Sequence, residues 1–177
     1  MRADACPLCR RLEIRKAFSK YGYDFFACSS CGLIFLNPWP TPDELRGFYG
    51  KAYYAPWGED GSGVSGTRDN KIRTFQEWLK RIEKFSSRGS LLDVGCAMGF
   101  FLEAAERRGW EPYGVEVSRY SSEIAKSSFS SRIFTGFLEE ARFEPGMFDC
   151  VTMFDLLEHA VCAEELLSEV TRILRPE

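Results

Sequence analysis

Two C-x-x-C pairs, a glycine turn flanked by acids, and a lone histidine carry the chemistry available to this 177-residue chain. Cys6-Pro-Leu-Cys9 and Cys28-Ser-Ser-Cys31 lie 18 residues apart. Each pair places two thiols on one side of a tight turn, and two such knuckles complete a tetrahedral S4 site. Zinc is the favoured ion, and iron fits the same donor set. Two disulfides or four unrelated thiols are the alternatives. Four cysteines leave no open coordination position, so the metal is expected to be structural. A module this small has too little core to fold alone, so metal binding would supply much of its folding free energy.

The second constellation is Leu91-Leu92-Asp93-Val94-Gly95-Cys96-Ala97-Met98-Gly99-Phe100-Phe101-Leu102. It reads as a buried strand, a glycine turn and the start of a helix, where free N–H groups and the helix dipole converge. The spacing Gly95-x-x-x-Gly99 fails the G-x-G-x-x-G dinucleotide fingerprint, and no P-loop pattern occurs. Asp93 ends the strand, where a carboxylate repels phosphate and suits an amine. Glu116 closes the next apolar strand, Tyr113-Gly114-Val115-Glu116, where an acid can accept from both hydroxyls of a ribose. A ligand with an amine, a ribose and no phosphate is S-adenosylmethionine.

With these residues in place, four segments in order resemble class I S-adenosylmethionine-dependent methyltransferases. They are Leu91 to Phe100, Gly114-Val115-Glu116-Val117-Ser118, Phe148 to His159, and Arg172-Ile173-Leu174-Arg175-Pro176. The resemblance covers about residues 70–177. It implies that Asp93, Gly95, Cys96 and Gly99 hold the methionine part, Cys96 through its backbone. Glu116 would take the ribose with Val117 beside it, Phe137 and Leu138 the adenine, and Phe154 and Asp155 would lie near the methionine end. The family often has Gly-Asp after the third strand, and here Gly136 is followed by Phe137, so the acid is missing. The cysteine knuckles, Leu36-Asn37-Pro38-Trp39-Pro40 and the tyrosines that follow resemble a bacterial subgroup with an N-terminal zinc ribbon. That likeness makes Tyr54, or Tyr53, a contact over the cofactor. A buried tyrosine pair joining two domains is the other reading.

The composition is that of an ordinary globular protein, 45% hydrophobic and 28% charged. A net charge of −3 provides no global field for nucleic acid or anionic membrane. Six basic and three acidic residues in 1–40 leave +3, and a zinc on four thiolates reduces this to about +1. Nucleic acid is therefore disfavoured as a partner. No apolar run is long enough for a membrane span. The N-terminus lacks a signal-peptide pattern, and seven cysteines then point to a reducing cytoplasm and to metal.

The elements that must position these groups follow from periodicity. Residues 1–40 form the zinc ribbon, with strands at Tyr23–Phe26 and Leu33–Phe35. Residues 41–68 connect, opening with a short helix capped by Thr41 with Pro42 first, and 58–66 read as a flexible loop. Residues 69–177 form an α/β, Rossmann-like parallel sheet. In it, a helix at 69–86 shows Ile72, Phe75, Leu79, Ile82 and Phe85. Strands are expected at 90–94, 112–116, 132–134 and 148–154, the last apolar and central. Helices follow at 98–108, after the Ser118 cap, and at 161–174 with Leu166, Leu167, Val170, Ile173 and Leu174 on one face. The family continues past Glu177 with about three more strands. A truncated chain, a natural short form, or a homodimer through the exposed edge would each account for the stop.

The expected reaction is methyl transfer to a small-molecule acceptor such as a sugar or polysaccharide precursor. An RNA methyltransferase and a non-catalytic cofactor-binding module are the alternatives. His159, the sole histidine, is the candidate general base, or else it only shapes the pocket. Cys150 and Cys162 read as buried free thiols.

Overall fold

The computed structural model describes residues 3–55, 67–160 and 162–176. The chain divides into two units, Met1–Leu45 and Arg46–Glu177. The loop expected at 58–66 lies outside the described residues.

The first unit is built on a three-stranded antiparallel sheet, β1 (Ile14–Lys20), β2 (Tyr23–Cys28) and β3 (Ile34–Leu36), in that order. The strand β1 was not anticipated. Only Ile14 of its seven residues is even half-buried, so it carries no apolar alternation to read. It is held by pairing with β2 and by stacking of Phe18 on Phe25 at 4.7 Å. Asn37 is buried and clamps the N-terminal backbone. Its Oδ1 accepts from the Ala3 N–H at 2.8 Å and its Nδ2 donates to the Ala3 carbonyl at 2.9 Å. The helix α1 (Pro42–Phe48) starts at a capping box, as the sequence indicates. The Glu44 N–H donates to Thr41 Oγ1 at 3.2 Å, and the Glu44 carboxylate accepts from the Thr41 N–H at 2.6 Å.

The second unit contains α2 (Lys51–Tyr54), α3 (Thr67–Ile82) and a four-stranded parallel sheet. Its strands are β4 (Ser90–Val94), β5 (Glu111–Glu116), β6 (Ile133–Thr135) and β7 (Cys150–Thr152), in the order β6-β5-β4-β7. Between them run α4 (Phe100–Arg107), α5 (Arg119–Phe129) and α6 (Leu138–Ala141), and α7 (Ala163–Ile173) follows β7. Alternation along β4 sorts the core into two layers. Leu91 packs with Ile72, Leu79, Phe101, Leu102 and Ile133. Leu92 and Val94 pack with Val115, Leu138, Phe148, Val170 and Ile173. Being buried on both faces is what a parallel sheet requires and why β4 reads as a continuous apolar run.

Three expectations differ in detail. The helix at 69–86 ends at Ile82, and Phe85 is 91% exposed, so its apolar spacing has nothing to pack against. Leu167 is 43% exposed beside buried Leu166 and Val170, because the apolar stripe of α7 is narrower than its leucine content suggests. The strand expected at 148–154 is regular only over β7, and it lies at the border of the described sheet instead of its centre. Its outer side is nevertheless paired at one point. The Phe148 N–H donates to the Ile173 carbonyl at 3.0 Å and its carbonyl accepts from Arg175 at 2.8 Å.

Candidate functional site

Both cysteine knuckles use one local design. The Arg10 N–H returns to the Cys6 carbonyl and the Gly32 N–H to the Cys28 carbonyl, each at 3.0 Å, and both residues have positive φ (61° and 79°). The Cys6 and Cys28 N–H groups donate to the carbonyls five residues on, at 2.8 and 2.9 Å. This brings all four Sγ atoms within 4.8 Å of one another. The pairs Cys6–Cys31 and Cys9–Cys28 stand at 3.6 and 3.5 Å, too far for disulfides. A tetrahedral zinc with Zn–S near 2.3 Å separates its sulfurs by about 3.8 Å, so the donor set fits that ion. The Cys31 N–H lowers the Cys28 thiol to about 6, whereas burial and the neighbouring thiols outweigh the Leu33 N–H to carry Cys31 up to about 12 and the Arg11 N–H to carry Cys9 up.

The glycine turn leaves β4 and enters α4 through three left-handed residues, Gly95, Ala97 and Gly99 (φ 81°, 47° and 84°). Glycine at 95 is required twice: a Cβ there would lie 3.1 Å from Leu156 Cδ1 and the backbone is left-handed. Cys96 is buried with its thiol against Gly114 of β5, where a Cβ would come to 2.6 Å from its Sγ.

The two acids stand at adjacent strand ends, and both are buried. Asp93 Oδ1 accepts from the Thr152 hydroxyl at 2.7 Å. Burial pushes Asp93 up to about 7, Thr152 opposes this, and the Glu116 charge adds to it. Glu116 accepts from the Ala97 N–H at 2.8 Å and the Ser118 N–H at 2.7 Å. It also takes hydrogen bonds from the Ser121 and Tyr54 hydroxyls. Burial raises its pKa and these four donors oppose the rise. Ser118 doubles as the N-cap of α5, its Oγ accepting from the Ser121 N–H at 3.3 Å.

Past Glu116 a cavity of about 470 Å³ opens along the ends of β5 and β6, lined by Arg46, Val117, Arg119, Phe134, Thr135, Gly136 and Glu140. Phe137 lies under the Arg46 guanidinium at 4.8 Å. Leu138 is buried in the core layer with Val94 and Val115 and is not among the lining residues.

On the other side of the turn, Phe154 packs on Phe101 at 4.7 Å and on Phe75 at 5.5 Å. Asp155 is exposed, with φ 49°. It acts on Lys71, whose half-buried ammonium is lowered by burial and raised by Asp155. His159 ends a single 3-10 turn, exposed, with its ring edge-on to Tyr49 at 6.1 Å. Tyr49 is pushed up to about 12, first by burial, then by Tyr53, Glu116 and Glu158. Tyr54 is buried, its ring 5.1 Å from Tyr53 and 6.2 Å from Tyr120.

Sequence reasoning missed Arg46, Lys71, Ser121, Glu140 and Thr152. Only Glu140 left a trace, as an acid near Gly136. The others are brought in by tertiary packing, and no spacing rule marks them.

A sheet of this order with a glycine turn and paired acids at its carboxyl edge defines a Rossmann-like methyltransferase core. The methyltransferase domain family matches residues 68–177, and the chain belongs to that family. It is similar to the ubiquinone biosynthesis O-methyltransferase of Cupriavidus pinatubonensis, 26% identical over 147 residues, covering 79% of this chain and 57% of the relative. It is also similar to that of Chromobacterium violaceum, 29% identical over 92 residues, covering 49% and 40%. The chain thus spans about half the length of the curated relatives it matches. Among solved structures, the PH0226 protein of Pyrococcus horikoshii superposes with TM-score 0.59 at 29% identity, covering 71% of this chain and 58% of that one. Magnesium protoporphyrin IX methyltransferase of Synechocystis with bound S-adenosylhomocysteine shares the fold, with TM-score 0.57 at 16% identity, covering 75% and 68%. No helix of the described residues is long and apolar enough to cross a membrane.

Proposed function

We propose that the second unit binds S-adenosylmethionine and transfers its methyl group to a small-molecule acceptor, and that the first unit is a structural zinc ribbon. The observation that carries this is the pair of buried carboxylates at neighbouring strand ends, Asp93 beside the glycine turn and Glu116 tied to it through Ala97. Asp93 would hold the ammonium, Glu116 the ribose hydroxyls, and the cavity beyond Val117 the adenine. The left-handed backbone at Gly95 and Gly99 shapes the turn whose N–H groups would face the methionine part. S-adenosylmethionine supplies an already activated methyl group on a sulfonium, so the acceptor's nucleophile displaces it and S-adenosylhomocysteine leaves.

The chain's own residues then have three tasks. Aromatic groups between α1 and α2 and on α2 (Tyr49, Tyr53, Tyr54) exclude water. Phe154 and Asp155 fix the floor at the methyl end. His159 is the candidate to take the acceptor's proton, and its edge contact with Tyr49 orients the ring. The relatives' name favours a hydroxyl as the accepting group of the small molecule.

Native mass spectrometry tests the reading. The expected mass is the chain plus one zinc plus S-adenosylhomocysteine. A zinc-loaded chain that never acquires S-adenosylhomocysteine would defeat the cofactor assignment. With an acceptor in hand, unchanged turnover in His159→Ala would remove the base.

A further inference from the structure

We propose that the cysteine cluster is a peroxide-responsive switch, in which Cys31 reacts first and Cys6 closes a disulfide onto it. The inference rests on the zinc reading of the first unit. The four donors are not equivalent. Cys6 and Cys28 are buried, Cys9 is half-buried and Cys31 is exposed. The tip of the second knuckle, Ser29, Ser30 and Gly32, is exposed around Cys31, whereas Pro7 and Cys9 of the first knuckle are half-buried. A Cβ at Gly32 would meet nothing within 4 Å, so the space beside Cys31 is open. A small oxidant therefore reaches Cys31 before the other three.

A thiol that ligates zinc is deprotonated outright, so Cys31 is a thiolate in the loaded ribbon. Its sulfur attacks one oxygen of hydrogen peroxide, the O–O bond breaks and hydroxide leaves, giving a sulfenic acid. Cys6 stands 3.6 Å away, on the other knuckle. Its thiolate attacks the oxidised sulfur, the S–O bond breaks and a second hydroxide leaves. Two thiolates are thus oxidised to one disulfide while one peroxide is reduced to two hydroxide ions. The disulfide removes two of the four donors, and the site no longer holds a zinc ion. The cysteines of the core do not compete. Burial pushes the Cys96 thiol well up, and it carries Cys150 up to about 11 with help from the Asp93 and Asp149 charges. Both stay protonated and react slowly.

The test adds hydrogen peroxide to the purified zinc-loaded chain and reads free metal with a colorimetric chelator. About ten equivalents should release the zinc, and dithiothreitol with added zinc should restore the site. Trypsin cuts after Arg10, Arg11, Lys16 and Lys20, so the two knuckles fall on separate peptides. Mass spectrometry should find those peptides joined through Cys6 and Cys31, and dimedone present during oxidation should label Cys31. Cys31→His keeps a tetrahedral donor set without the reactive thiol, so its zinc release should slow at least about tenfold, while Cys9→His should release zinc as the wild type does. The labelling and the peptide map are read on the wild-type chain, so they decide the matter even where Cys31→His fails to hold metal. Zinc retained by the wild type under peroxide, or a disulfide confined to one knuckle, would overturn the inference and leave the zinc reading standing. A chain that holds no zinc before peroxide is added would overturn both.

Discussion

The Glu116 carboxylate accepts the Ala97 N–H at 2.8 Å, joining the end of β5 to the middle of the turn that follows β4. Ala97 holds a left-handed conformation that an L-residue adopts at a cost of about 1–2 kcal/mol. The bond to Glu116 stabilises it there. One side chain thus serves both the shape of the turn and the proposed ribose contact. Glu116→Gln replaces one acceptor oxygen with a donor that meets a backbone N–H. It should lower stability by about 1–3 kcal/mol in a urea titration, as well as weakening S-adenosylhomocysteine. Wild-type stability with lost binding would show that the turn does not depend on Glu116.

Glu116 also takes the Tyr54 and Ser121 hydroxyls, so all four of its lone-pair sites are engaged. A ribose diol must exchange with those two hydroxyls. Tyr54→Phe removes one competitor and keeps the buried ring. Affinity for S-adenosylhomocysteine should rise severalfold, about 0.5–1.5 kcal/mol, read by calorimetry. A weaker complex would mean that the Tyr54 hydroxyl contributes to binding instead of competing with it.

Asp93 provides a pH signature. Burial raises its pKa from 3.8 to about 7, so the folded chain holds this proton where the unfolded chain has released it. The folded state is favoured most by this group below pH 3.8. That contribution is lost as pH rises through the folded value near 7. Asp93→Asn should flatten stability between those limits in denaturant titrations at pH 5 and 8. A ligand ammonium beside Asp93 favours its charged form, so cofactor binding should release a proton near pH 6.5. Calorimetry in buffers of different ionisation enthalpy reads that proton, and equal heats in all buffers would reject the placement.

The glycine turn, both acids and the cysteine knuckles were legible in the sequence because each relies on local chemistry. A turn needs glycine, a strand end presents its last side chain, and two knuckles bring four thiols together. β1 was not legible because nearly all its side chains face water, and Phe85 misled because apolar spacing does not guarantee a partner. The cavity wall was half legible. Val117 follows Glu116 in sequence, whereas Arg46 reaches Glu140 across 94 positions, and only the fold closes that distance.

The cysteine cluster predicts one zinc per chain and a ribbon that depends on it. Among the described residues the unit Met1–Leu45 has few buried apolar side chains, among them Cys6, Cys28 and Phe35, so a bound zinc would supply on the order of 10 kcal/mol of apparent binding free energy to its fold. Chelation, or Cys28→Ser with Cys31→Ser, should collapse the amide resonances of 14–36 to unfolded positions while those of β4 and β5 stay dispersed. Dispersed ribbon signals in a metal-free sample would rule out the dependence.

Gly114 of β5 and Cys96 of the turn that follows β4 form a packing pair. A Cβ on Gly114 would meet Cys96 Sγ at 2.6 Å, Ile133 Cδ1 at 2.9 Å and Leu102 Cδ1 at 3.0 Å. Gly114→Ala gains about 0.4–1 kcal/mol through a less flexible unfolded chain. The overpacked core costs about 1–3 kcal/mol, so the net effect is destabilising. Cys96→Ala removes the nearest of the three atoms. The double variant should therefore be less destabilised than the sum of the two single changes, with a coupling of about 0.5–2 kcal/mol in a double-mutant cycle. Strict additivity would mean that Ile133 and Leu102, and not the thiol, keep a side chain out of position 114. The turn would then owe its cysteine to something other than the space that glycine leaves.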